Sequence, residues 1–216
     1  SFHNSDGKLV GFDIEIMNQL AGDLDVAVEF VKIFRKDAAP LLASGYLDIT
    51  SGVPVIPDNM KEFSLSFPYS SQHIAFVVKD ERRAEFIDWQ KILDRKDLIV
   101  GIPEKIYYEK AVKTYFTNGK AWEISTPRLF FKEEYKHIDA MLFDAPAASA
   151  WTLLNPDYTV VTPKPLRPAI AMAFPINKDD QSFELFMRNW IEMKRRNKSL
   201  DRLFTYWIEG KTPSFL

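Results

Sequence analysis

The sequence predicts an α/β fold built as two lobes, and three observations point to it. Segments with helical apolar spacing alternate with short runs rich in β-branched and aromatic residues, the pattern of layered α/β structure with right-handed crossovers. The apolar run 73–78 is followed at once by the charged stretch 79–83, after which a second α/β series begins, so a lobe boundary is expected there. The 216 residues, 46% of them hydrophobic, suffice for one large domain or for two compact lobes of about 100 residues each.

Ser5, Asp6, Gly7 and Lys8 read as a turn ahead of the apolar residues 9–12, because Asp and Gly readily adopt turn dihedrals. From Asp13 onward Ile14, Met17, Leu20, Ala21 and Leu24 recur at helical spacing, and Asp13 stands where an acidic side chain caps or favours a helix start. Alternation of apolar and polar residues over 26–33 predicts a strand. A second helix is expected over 37–44, closed by Gly45, with a short strand at 47–50. Residues 73–78 read as a buried strand, and a helix follows around 89–93. The second series comprises a strand at 98–102, helices at 107–116 and 129–135, a strand at 140–143 and a helix at 146–154. Pro163, Pro165 and Pro168 interrupt regular structure before a strand at 169–174. An amphipathic helix over 180–196 and a shorter one over 200–207 close the chain.

Composition removes several function classes. With 28 basic and 30 acidic residues the formal charge is -2, which gives no basic stripe for nucleic acid. The chain has no cysteine, so disulfides, thiol catalysis and cysteine-held metals are excluded. His3, His73 and His137 lack the spacing of a helical zinc site, and no metal or cofactor is expected. Ser70, Ser71 and His73 lie close together without the strand–turn–helix elbow of a serine nucleophile, and no phosphate-cradling glycine motif is present. No apolar run approaches the roughly 18 to 20 residues needed to span a bilayer.

Three segments carry a resemblance. DGKLVGFDIEIMNQLAGDL (6–24), LLASGYLDITSGVPVIPDNMKEFSLSFPYSSQHIAFVV (41–78) and IDAMLFDAPAASAWTLL (138–154), the last followed by AIAMAFPINKDD, resemble in order and spacing the bacterial extracellular solute-binding proteins of family 3. The likeness covers essentially the whole chain. It implies a type II periplasmic-binding-protein fold of two α/β lobes joined by two crossing hinge strands, with lobe one at 1–74 plus 170–216 and lobe two at 75–169. It implies binding of a small polar or carboxylate-bearing solute, amino-acid-like or dicarboxylate-like, in a cleft between lobes, for delivery to a membrane transporter. The expected place is the periplasm or the outer face of the cytoplasmic membrane, and the expected state a monomeric domain that catalyses nothing. SAWTLLNPDYTVVTPKPL (149–166) and LFTYWIEGK (203–211) look similar to binding domains fused to sodium:dicarboxylate-type symporters. Two other readings of the same resemblance are a ligand-sensing ectodomain and a cyclohexadienyl-dehydratase-like enzyme. Family members open with a central lobe-one strand that has no counterpart here, so the native polypeptide is expected to extend upstream of Ser1.

The resemblance also assigns site residues. The family's carboxylate-gripping Arg corresponds to Asn59, and its preceding hydroxyl residues to Pro54 and Ile56, leaving the loop Ser51, Gly52 and Val53 with backbone groups and one hydroxyl. A second anion-binding pair corresponds to Lys105 and Ile106, followed by Tyr107. Both departures argue against an α-amino acid held in the ordinary way. Asp144 matches the acidic residue that receives a ligand amino group, with helix capping as its other role. Arg35 is a candidate replacement cation, although a solvated Arg is the commoner case. Phe2, Phe67 and Tyr69 are candidate cleft walls, and core packing is the commoner fate of such aromatics.

Overall fold

The structure, a computed structural model, describes residues 2–3, 6–103, 119–165 and 169–208. The chain divides into two compact units, one of Ser1–Ser71 with Ala171–Leu216 and one of Gln72–Ile170. The backbone therefore passes from one unit to the other twice.

The second unit is built on a five-stranded sheet. Its order across the sheet is Tyr158–Val161, Ile74–Lys79, Ala140–Asp144, Ile99–Ile102 and Lys120–Glu123. The first three strands pair antiparallel, and Ile99–Ile102 runs parallel to both of its neighbours. Side chains alternate across a strand, so Phe76, Val78, Ala140 and Leu142 face a core with Phe86, Trp89 and Ile92. Val77 and Met141 face the opposite core with Ile124, Phe130 and Ile138. Burial on both faces explains why 73–78 reads as a continuous apolar run.

In the first unit the helix Phe12–Leu24 packs with Gln181–Arg196 and Ser199–Trp207 around Ile16, Phe174, Met187, Trp190 and Ile191. Asp180 caps the long helix, accepting from the Phe183 N–H at 2.9 Å. The buried Lys194 ammonium meets Asp23 at 2.8 Å, and the Trp190 indole donates to the same carboxylate at 2.7 Å. The strand Ile170–Ala173 lies between Val53–Pro54 and Ser70–Gln72, and Pro175–Ile176 pairs with Ser64–Leu65.

Several expectations need correction. Residues 26–34 form no strand: Val26, Val28, Phe30, Val31 and Phe34 are exposed, and none of the described residues pairs with them in a ladder. Alternation supplies a face to bury, but a strand also needs a neighbour for its N–H and C=O groups. The strand at 47–50 reduces to one bridge, Ile49 with Ile176. The helix at 129–135 breaks into Pro127–Phe130 and a 3₁₀ turn Glu133–Tyr135, with Phe130 and Phe131 packed edge-on against Tyr158. The helix start falls at Gly11, so Asp13 makes no cap and favours the helix instead from its first turn. Lys120–Glu123, Tyr158–Val161 and the pair Phe2–His3 with Leu9–Val10 are strands that local pattern does not announce. The helix expected at 107–116 lies outside the described residues.

Candidate functional site

The loop between Ile49 and the strand Val53–Pro54 is held from several sides. The Thr50 N–H donates to the Pro175 carbonyl at 3.3 Å and the Val55 N–H to the Ala171 carbonyl at 2.8 Å. Val53 stands in register with Ala173. The Asn59 amide donates to the Pro54 carbonyl at 2.7 Å, so this side chain closes the turn into the short helix Pro57–Glu62. Ser51 is exposed at the loop's tip.

Beneath the loop lies an acid that local pattern assigned only to the helix start. The Gly52 N–H donates to Asp13 Oδ2 at 3.4 Å. Burial pushes the Asp13 carboxyl above the ordinary carboxylate range, opposed by hydrogen bonds from the Tyr69 hydroxyl and the Gly52 N–H. The Tyr69 ring stacks on Phe174 with centroids 3.9 Å apart and planes 9° apart, and lies 5.8 Å from Phe12. A Cβ on Gly52 would fall 2.0 Å from the Tyr69 hydroxyl oxygen. Position 52 is therefore glycine for space. Asp13, Gly52 and Tyr69 are far apart in sequence, and no spacing rule links them.

Of the other candidates in the first unit, Arg35 opens an exposed 3₁₀ turn, Arg35–Asp37. Tyr69 is buried and belongs to the core, with its hydroxyl turned to the loop. Phe67 is exposed and lies under the Arg188 guanidinium at 4.9 Å.

In the second unit Asp144 ends the strand Ala140–Asp144, half-buried after the fully buried Ala140, Met141 and Leu142. It stands opposite Ile74, and the Ala145 N–H just beyond it donates to the His73 carbonyl at 2.9 Å. The helix Ala145–Leu154 begins there. Because the strand runs parallel to Ile99–Ile102, Asp144 sits at a carboxyl end of the parallel part of the sheet, where ligands of open α/β sheets bind. Lys105 and Tyr107 lie outside the described residues. Among the described residues no group of three or more His, Asp or Glu side chains is placed to hold a metal. No helix among them is long and apolar enough to cross a membrane.

A family model described as bacterial extracellular solute-binding proteins, family 3, matches residues 1–210. The chain is 19% identical over 209 residues to the ABC transporter arginine-binding protein 1 of Escherichia coli, covering 94% of this chain and 84% of that protein. It is 35% identical over 81 residues to a probable amino-acid ABC transporter-binding protein of Haemophilus influenzae, a match spanning 37% of this chain and 31% of that protein. Among solved structures, an ancestral cationic amino acid solute-binding protein aligns with a TM-score of 0.78 and 27% identity, over 96% of this chain and 90% of that one. A putative ABC-transporter binding component from Wolinella succinogenes, solved with lysine, aligns with a TM-score of 0.83 and 18% identity, over 96% and 89%. The fold is the mixed α/β type II periplasmic-binding-protein fold.

Proposed function

The chain belongs to the bacterial extracellular solute-binding proteins, family 3, and from that membership we propose that it captures a small amino-acid-like solute outside the cytoplasmic membrane and hands it to a membrane transporter. The observation that carries this reading is Asp144, a carboxylate at the carboxyl end of a parallel-paired strand whose first three residues, Ala140, Met141 and Leu142, are wholly buried. Such a group, held rigidly by the sheet, suits an ammonium, because charge-assisted hydrogen bonds are about twice as strong as neutral ones. The loop 51–53 is the second recognition element, with the exposed Ser51 hydroxyl at its tip. The relatives named for arginine and for cationic amino acids, and the binding component solved with lysine, support a solute with a basic group. The solute is retained and released unchanged.

A thermal-shift screen with L-arginine, L-lysine, L-glutamine, small amines and dicarboxylates tests the proposal. A ligand at 100 times its Kd stabilises the fold by about 2.7 kcal/mol, a shift of several degrees. Asp144→Ala should abolish the response, read against the variant's own unliganded melting point. Stabilisation by dicarboxylates alone, or an undiminished response in the variant, would overturn it.

A further inference from the structure

The Asp13 carboxyl is enclosed beneath the loop 51–53, and the proposed recognition chemistry makes no use of it. Its partners are specific. It receives the Gly52 N–H and the Tyr69 hydroxyl, and that hydroxyl fills the space where a side chain at position 52 would stand. Tyr69 in turn is fixed by its stack on Phe174. The helix Phe12–Leu24, the loop and the core aromatic thus meet at one acceptor, all within the first unit. Such a contact orients a backbone group. The Thr50, Gly52 and Val55 N–H groups are all engaged internally, and the Thr50 hydroxyl donates to the Ser51 carbonyl at 3.2 Å, so the conformation of the loop is set from within the first unit.

We propose that Asp13 is the positioning residue of the solute loop: by holding the Gly52 N–H and the Tyr69 hydroxyl it fixes residues 51–53 in the conformation that meets a solute. This rests on the reading of 51–53 as a solute-contacting loop. The geometry has a direct consequence for substitution. Asparagine keeps one acceptor oxygen at the same place, whereas alanine keeps none and releases the Gly52 N–H.

The test compares Asp13→Ala, Asp13→Asn and Tyr69→Phe with the parent chain by amide hydrogen exchange and by calorimetric titration with L-arginine. In Asp13→Ala, exchange at Gly52 should rise at least about tenfold, the order expected for one lost hydrogen bond. The amides of Phe76, Val77 and Val78 in the other unit should not change. L-arginine affinity should fall by at least about tenfold in the same variant, and Asp13→Asn should restore most of both properties. If Asp13→Ala does not fold, Tyr69→Phe carries the test, with the same rise at Gly52 expected on a smaller scale. Unchanged Gly52 exchange in Asp13→Ala, or affinity lost equally in Asp13→Asn, would overturn the assignment. Failure of the parent chain to bind L-arginine or any other amine-bearing solute would count against the proposed function alone, because Gly52 exchange needs no ligand.

Discussion

Gly52 shows how a single position is dictated by its neighbours. Its backbone needs no left-handed dihedral, yet the Tyr69 hydroxyl stands 2.0 Å from where a Cβ would be built, with ring carbons at 2.6 and 2.7 Å. Tyr69 cannot retreat easily, since its ring is stacked on Phe174. We therefore expect Gly52→Ala to destabilise the protein by about 1 to 3 kcal/mol, the usual cost of overpacking, as measured by urea denaturation. A variant as stable as the parent would mean that the ring moves freely. At this scale the sequence was partly legible. Ser51, Gly52, Val53 and Asp144 stood out through the resemblance, and the structure places the first two on a loop, Val53 at the start of the strand that follows it and Asp144 at a strand end. Asp13 was read only as a helix-start residue. Its link to Gly52 spans 39 positions, and local pattern cannot report so distant a partner.

Elements in the second unit are tied together by one acidic side chain. Asp139 accepts the Ile99 N–H at 2.7 Å through one oxygen and the Arg82 guanidinium at 2.8 Å through the other. Arg82 and Arg95 both lie over the Phe86 ring, at 5.8 and 5.7 Å, and both reach Glu85. Asp139→Ala leaves the start of the strand Ile99–Ile102 without an acceptor and should cost roughly 2 kcal/mol, as expected for a hydrogen bond to a charged group. Glu85→Ala removes only the more exposed partner and should cost less than about 1 kcal/mol. Equal losses on denaturation would show that the surface pairs, and not the strand anchor, dominate.

The same contrast explains which elements were readable. The strands near 73–78, 98–102 and 140–143 were legible because both of their faces are buried, which writes a continuous apolar run. Lys120–Glu123 is exposed along its whole length and is held by its pairing with Ile99–Ile102. It leaves no apolar signature. Residues 26–33 have the converse defect, a clear alternation with no partner among the described residues.

For the whole molecule, periodicity supplied the class and not the wiring. Alternating helices and strands indicated α/β layers, whereas the sheet order of the second unit, with antiparallel pairing on one side and parallel on the other, depends on contacts between distant segments. The resemblance to family 3 supplied an expected division into lobes and not this strand order, and the family match over residues 1–210 agrees with the resemblance. Each unit has its own core, the first around Phe174 and Met187, the second around Phe76 and Leu142.

The exposed Val26, Val28, Phe30, Val31 and Phe34 have a practical consequence for handling the purified chain. Greasy side chains along a backbone that joins no ladder among the described residues form a sticky ribbon, tempered by the charges of Glu29 and Lys32 set among them. Concentrated samples should scatter light well below their melting point, and neutralising Glu29 and Lys32 together should bring that cloudiness on sooner, without altering the fold.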